Sequence, residues 1–421
     1  MKLSFKFSLL FWLITLSFFA RLVTAYIFGD QVIDNEWSIL VNNLINYKSF
    51  SFYVTDEQII PSVYMPPMYP LFLYFTKIIT FEKLNFLNSI FFFQTILSTY
   101  SVYIFYKINQ KIFSNKLSLI NALIFSLFPL NLYAVGQISS ISLQLFFSLL
   151  FLKYFLSLSE CQSRKNIIIF SVVSGMLILT RGEFILIFVI TFSYLIFCKK
   201  IGVGILIKTL LIVSLIISPY IIRNYITFNE IVIVKSLGFN LWKGNNHTSS
   251  VGGSSSIHPP NDFSQLKQWT IPKNPEFTLL KKKLESIKHD KYYEINRDQI
   301  FLDEAKNNLS KNPYRYLNLF FKKIFSYYFV DLKSNYPNYY NFFHFFPVLI
   351  LSIFSLPGLI IALKKNKFEL NYLIIYLSLN LIIFSIFFVL PRYKLIILPI
   401  QIILAAYFIQ QVLHKLNMKY L

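Results

Sequence analysis

The chain has 421 residues, of which 55% are hydrophobic, 19% aromatic and only 14% charged, and it repeatedly offers runs of about twenty residues without charge. That balance excludes an ordinary soluble domain and identifies an all-α polytopic membrane protein. The net charge of +21 is no argument for nucleic acid, because most Lys and Arg sit in short clusters between apolar segments rather than on one face.

In chain order, residues 2 to 25 have a basic start (Lys2, Lys6), an apolar centre and a small-residue end, "LVTA", the outline of a signal peptide. The segment is nevertheless long enough to span, and Arg21 interrupts its distal end, so an uncleaved first helix is expected. Further spans are expected near 86–106, 118–135, 138–158, 166–180, 184–198, 202–222, 345–363, 369–390 and 394–412, about ten helices with the first, or up to about twelve. With the amino terminus inside, Lys107/Lys111/Lys116, Arg164/Lys165, Lys199/Lys200, Lys364/Lys365/Lys367 and the tail all fall on the cytoplasmic side, as the positive-inside rule requires. Cys161 and Cys198, the only cysteines, fall near that side and suggest neither a disulfide framework nor a thiolate metal site. The high Lys, Asn, Ile and Phe usage points to an AT-rich bacterial genome, hence an inner membrane and a periplasmic active face.

Two shorter apolar stretches, 66–81 and 316–330, are expected to lie at the outer surface; if both spanned, parity at the two ends would survive. The organisation is then 1–222, a membrane region that includes a first external loop of about 29–85; 223–344, a large external loop with surface helices; and 345–421, the last membrane helices. The large loop contains "SSVGGSSS" (249–256), which lacks the lysine of a phosphate-cradling motif and reads as a flexible segment. One or two exposed helices are expected over 280–309, ending before Pro313.

Asp30, Asp34 and Glu36 crowd the outer end of the first helix. If that segment is helical, Asp30 and Asp34 share a face and Glu36 turns away, so a general base with an orienting neighbour would use the aspartates; the alternative is that the acids cap and solvate a juxtamembrane helix. Arg223 in "SPYIIRNY" and Arg392 in "FFVLPRYK" reach the same interface. Two arginines there, where the positive-inside rule disfavours them, point to a phosphate-bearing lipid substrate, against anchoring by snorkelling. Arg181 and Glu183 lie at this face too, as a local ion pair closing a helical hairpin or as part of the site. The histidines lack ligand spacing, so no metal site is assigned. No cofactor is implied, and a requirement for a divalent metal stays open.

The acids followed by "NNLINYKSFSF" and "PPMYPLFLY", then "LTRGEF", "PYIIRNYITFN", "SLGFNLWKGNN", "EAKNNLSKNPYRYLNLFFKK" and "PRYKLIILPIQIILAAY", in that order over nearly the whole chain, resemble the bacterial membrane glycosyltransferases of the dolichyl-phosphate-mannose-protein mannosyltransferase type, glycosyltransferase family 39 in the wide sense. The resemblance implies a GT-C fold and transfer of a sugar, with inversion, from a polyprenyl-phosphate donor to a lipid, glycan or protein acceptor. It implies Asp34 as the base, from Asp34-x-x-Trp37, with Asp30 and Glu36 following, and Arg223 and Arg392 on the donor phosphate. Tyr393, Trp242, Asn245 and Asn246 would contact substrate, Trp242 as a stacking face; a tight loop packed by Trp242 and turned by Gly244 explains "NLWKGNN" equally well. The sequence departs from the family where an acid is expected early in the fourth span, with Ser140 near its place, and in "TRGE", which has glycine where proline is usual. A polysaccharide polymerase or ligase would differ chiefly in using a lipid-diphosphate donor. A lipid-linked sugar flippase would more often carry broken mid-membrane helices and internal repeats, neither of which is evident.

Overall fold

Proline, glycine and the capping residues cut the apolar sequence into seventeen α-helices and one pair of short strands among the described residues. The computed structural model describes residues 2–33, 36–54, 59–80, 85–254, 275–333 and 341–416. Helix α1 (Lys2–Phe28) leads into a first loop containing α2 (Glu36–Tyr47), the antiparallel strands β1 (Ser51–Val54) and β2 (Ile59–Pro61), and α3 (Met68–Ile79). Then come α4 (Phe86–Asn109), α5 (Asn115–Leu127), α6 (Pro129–Tyr133), α7 (Ile141–Glu160), α8 (Arg164–Thr180), α9 (Phe184–Phe197) and α10 (Val203–Phe228). A long loop carries α11 (Leu237–Gly244), α12 (Pro275–Glu285), α13 (Tyr293–Lys311) and α14 (Pro313–Tyr328), and α15 (Phe342–Lys365), α16 (Phe368–Ile386) and α17 (Lys394–Lys415) complete the bundle.

Helices occupy all the expected spans, but among the described residues six are long and apolar enough to cross a membrane, or seven if α5 and the turn after it, bent by 55°, form one span. This is a multi-pass membrane protein. The other expected spans fall short for local reasons. Helices α8 and α9 have 17 and 14 residues, against about twenty for a full crossing. Helix α4 is long, but Gln94, Thr95, Ser98, Thr99, Ser101 and Asn109 turn polar groups into the bundle.

The bend after α5 explains a buried arginine. Pro129 has no N–H to offer the Phe125 carbonyl, and the break leaves the Ser126 carbonyl without its helical donor as well. Asn131 Nδ2 donates to the Phe125 carbonyl at 2.9 Å, and Arg21, fully buried in α1, donates to the Ser126 carbonyl at 2.9 Å and to Ser98 Oγ at 2.8 Å. The arginine that disqualified the segment as a cleavage region thus ties α1 to α4 and α5.

Helices α3 and α14 have 12 and 16 residues, which at about 1.5 Å per residue is less than the roughly 30 Å hydrocarbon core. In α14, Tyr316, Leu319, Lys323 and Tyr327 are buried, while Tyr314, Leu317, Phe321 and Phe325 are exposed at helical spacing. Such an outer apolar face is what a helix lying on a bilayer surface would present. The helices expected as exposed over 280–309 are more deeply engaged: Glu294, Arg297, Asp298 and Phe301 of α13 are all buried, because their partners lie in the other loop segments.

Helices α15 and α17 pack closely through Gly358, where an added Cβ would stand 1.9 Å from the Leu404 carbonyl oxygen. Gly358→Ala is expected to destabilise the bundle by about 1–3 kcal/mol through overpacking, whereas Gly204→Ala, whose Cβ would meet nothing within 4 Å, should not. Thermal unfolding of the two variants in detergent checks this, and equal midpoints would mean that α15 and α17 do not approach so closely.

Candidate functional site

A polar cavity of about 380 Å³ opens where the ends of the bundle helices meet the two loops. The tight connection between α8 and α9 supplies Arg181 and Glu183; the turn before α7 supplies Ser139 and Ser140; and the 3-10 turn Pro391–Tyr393 sets Arg392 and Tyr393 against it from the start of α17. From the first loop come Glu36, at the first turn of α2, with Trp37 and Tyr64. Ser236, Phe239, Asn240 and Lys243 arrive together because positions i, i+3, i+4 and i+7 share a helix face, and α11 turns that face to the chamber.

The groups are held by one another. The Arg181 guanidinium lies 5.1 Å above the Tyr393 ring, its Nε donates to Gln144 Oε1 at 3.2 Å, and its Nη1 is 3.5 Å from Glu183 Oε1. Burial pulls the Lys243 ammonium below the usual lysine range, and Tyr393, Arg392 and Glu36 are the neighbours whose charges act on it. The chamber therefore gathers cations from three parts of the chain around two carboxylates. A second cavity, about 580 Å³ and largely apolar, shares Arg181, Glu183, Asn240, Phe388 and Tyr393 with the chamber and continues between α9, α10 and α16 past Ile185, Leu186, Ile221, Ile383 and Phe384.

Several expectations need correction against this geometry. Arg223 does not line the chamber. Helix α10 continues through Asn224 and Tyr225 to Phe228 and is stopped by Asn229 in the left-handed region at φ 58°, so the Arg-Asn-Tyr segment is helical. There Arg223 donates to the Ser62 carbonyl at 2.7 Å and to Asn224 Oδ1 at 2.8 Å, and Asn224 Nδ2 donates to the Val232 carbonyl at 2.7 Å. Both side chains fasten the helix end to the loops. Trp242 is 1% exposed, its ring centre 5.0 Å from that of Phe301 and 5.8 Å from that of Phe277. Asn245 donates to the Leu241 and Ile386 carbonyls, and Asn246 to the Trp242 carbonyl while accepting from Thr248. The last carbonyls of α11 need donors from outside the helix ladder, and these asparagines provide them away from the chamber.

Among the acids, Asp34 lies outside the described residues. Asp30 is not on a helix: α1 ends at Phe28, where Gly29 and Gly136 approach so closely that a Cβ on Gly136 would stand 2.7 Å from the Gly29 Cα. Asp30 then accepts the Ile138 N–H at 2.7 Å and donates its own N–H to the Gly136 carbonyl at 2.9 Å. Glu36, ranked last by helical spacing, is the one of the three that lines the chamber among the described residues. Lys243 stands inside a run singled out in the sequence, but no local signal distinguishes it from Trp242 or Asn245. No group of three potential metal-ligating side chains stands together among the described residues.

Helix α13 holds the loop walls. Glu294 accepts Ser62 Oγ–H at 2.9 Å and the Val63 N–H at 2.7 Å; Arg297 donates to Tyr53 Oη at 2.9 Å and lies 4.6 Å from the Tyr64 ring centre; Asp298 accepts the Phe239 N–H, in the first turn of α11, at 2.9 Å. Burial raises the Glu294 carboxyl above its usual range, opposed by Arg297 and by these hydrogen bonds. From α14, Lys323 Nζ donates to the carbonyls of Gly244 at 2.9 Å and Phe387 at 2.5 Å and to Asn245 Oδ1 at 3.2 Å, joining the carboxyl-terminal ends of α11 and α16.

No protein-family model and no curated protein matches the sequence. Solved structures do match. The archaeal oligosaccharyltransferase AglB from Archaeoglobus fulgidus, in complex with an inhibitory peptide and a dolichol-phosphate, aligns at TM-score 0.59 with 14% identity over 99% of this chain and 51% of that one. The Archaeoglobus fulgidus oligosaccharyltransferase tethered with an acceptor peptide containing the NVT sequon aligns at 0.56 with 13% identity, over 97% and 50%. Its complex with Zn and sulfate aligns at 0.55 with 13% identity, over 96% and 49%. The chain thus spans about half the length of the solved structures it matches and has their GT-C fold; the likeness does not separate the family 39 subgroup from other GT-C proteins.

Burial lowers the Lys323 ammonium from the ordinary 10.5 to about 7. Between those values the unfolded chain binds more protons than the native one, so the contribution present above 10.5 is lost as pH falls toward 7. The thermal midpoint of the wild type is expected to fall over that window and that of Lys323→Met to fall less steeply; parallel profiles would assign the pH dependence to other groups.

Proposed function

We propose that the protein is an inverting membrane glycosyltransferase that takes a sugar from a polyprenyl-phosphate donor and passes it to a lipid, glycan or protein acceptor on the non-cytoplasmic face. The observation that carries this reading is the junction of a cationic polar chamber with an apolar groove, which share Arg181, Asn240 and Tyr393. A polyprenyl-phosphate sugar has the same division: an apolar chain for the groove, and a phosphate and a sugar for the chamber. AglB, which shares the fold, has been solved with a dolichol-phosphate.

In the reaction, the bond between the anomeric carbon and the phosphate oxygen breaks and the phosphate leaves on its polyprenyl chain. Arg392 and Lys243 neutralise the charge that develops there, with Arg181 beside them against Tyr393; fixed cations in a site shielded from bulk water act more strongly than in bulk solvent. The acceptor hydroxyl or amine attacks the opposite face of the anomeric carbon, which inverts it, and gives its proton to a carboxylate of the first loop. Glu36 lines the chamber at the amino-terminal end of α2. Asp34, two residues before it, remains the choice of the family pattern. Asp30 and Arg223 act through the backbone groups they hold.

Release of labelled sugar from undecaprenyl-phosphate hexoses in membranes tests this. Arg392→Ala is expected to lower turnover about 10²–10³-fold. Replacement of the base, by Glu36→Gln or Asp34→Asn, should lower it about 10²–10⁴-fold, and the variant with the greater loss identifies the base. Full activity in both carboxylate variants would overturn the proposed role of the first loop, and no donor consumption by wild type across a broad donor panel would overturn the transferase reading.

A further inference from the structure

Helix α11 separates two cavities. Its face of Ser236, Phe239, Asn240 and Lys243 lines the chamber, whereas Trp242, on another face, lines a polar cavity of about 320 Å³ enclosed by α12, α13 and the start of α14. That volume is within the range of small-molecule sites. We infer that this outer cavity is a saccharide-binding site that holds the glycan of the acceptor away from the reacting centre.

The chemistry of the walls carries the inference. Asn307 and Asn308, in the last turns of α13, and Asn312, just after it, line one side together with Glu304. Lys283 and Lys311 complete the lining, so carboxamides, a carboxylate and two ammonium groups border the cavity together. A carboxamide offers donors and an acceptor in one plane, an arrangement that pairs with the neighbouring hydroxyls of a sugar ring. Phe277 and Trp242, 3% and 1% exposed, close the cavity from behind. Trp242 adds an independent sign: it is 1% exposed, and its Nε1–H is buried with no hydrogen-bond partner among the described residues. A buried unpaired donor costs about 1–3 kcal/mol, and a ligand hydroxyl entering this cavity would satisfy it. An apolar peptide side chain would satisfy neither the indole nor the carboxamides.

Saccharide binding at this site does not depend on the transferase reading, but its assignment to the acceptor does. Wild type would be reconstituted in nanodiscs, which avoids the sugar headgroups of maltoside detergents, and titrated by saturation-transfer NMR with neutral and uronate-bearing oligosaccharides. Donor turnover would be measured on the same samples. The expected result is binding by wild type, retained in Arg392→Ala and weakened about tenfold or more in Asn307→Ala/Asn308→Ala. The double variant favours the helix by propensity and should keep the unfolding midpoint and the donor turnover without acceptor. No binding of any oligosaccharide by wild type would overturn the site. Binding lost in Arg392→Ala and unchanged in the asparagine variant would place the sugar in the chamber instead and would also overturn it. Oligosaccharide binding here without any donor turnover would sink the acceptor role and leave the binding site standing.

Discussion

One turn of α13 fixes the geometry on which the chamber depends. Glu294 and Asp298, four residues apart on one helix face, accept N–H groups from two different loops: Val63, next to the Tyr64 that lines the chamber, and Phe239, on the chamber face of α11. Arg297 lies between them against Tyr53 and Tyr64. Burying three ionisable groups is costly, and removing one partner of such a set costs roughly 3–5 kcal/mol because the others remain unpaired. The arrangement persists because each charge meets oriented donors, acceptors or aromatic faces. It is directional where apolar packing is not, so it sets the register between loops more than 200 residues apart in the chain.

The carboxyl-terminal ends of the helices are held in the same manner. Helix ends leave carbonyls without donors, and this chain supplies lysine ammonium groups from other helices: Lys323 at the ends of α11 and α16, and Lys394 at the Tyr327 and Phe329 carbonyls that close α14. The last carbonyls of a helix need donors from outside its own ladder, and a lysine brings them on a flexible stem. Gly244 lets α11 come close enough for this contact, since a Cβ there would stand 1.8 Å from the Phe387 carbonyl oxygen. The wall of the chamber that carries Lys243 is thereby fixed to the bundle at one end by Lys323 and to α13 at the other by Asp298.

The same fastening gives α11 two functional faces. With both ends held it cannot rotate, so Lys243 remains on the phosphate side of the proposed reaction and Trp242 on the outer side. Between the chamber and the groove, Tyr393 and Arg181 form the shared wall, and their 5.1 Å cation–π contact keeps a guanidinium at the boundary where a lipid phosphate would meet its apolar chain.

The sequence by itself determined the all-α polytopic membrane fold and the GT-C class, because hydropathy over about twenty residues is a local sum and the resemblance rests on contiguous residues. Arg392 and Tyr393, expected at the outer interface from their place after the apolar run, line the chamber at the start of α17. What only the tertiary structure decided was the orientation of side chains near helix ends. Arg223 was readable as an interfacial arginine, but whether it meets a ligand or a backbone carbonyl depended on α10 running on to Phe228. Asp30 lies past the end of α1, where it holds backbone groups of the segment before α7, whereas Glu36 opens α2 and lines the chamber. Lys243 was one polar residue among several until Asp298 and Lys323, both distant in sequence, fixed the rotation of α11. Hydrophobic periodicity records which residues avoid water; which polar group faces a cavity depends on hydrogen bonds between segments far apart in the chain, and no local pattern encodes those partners.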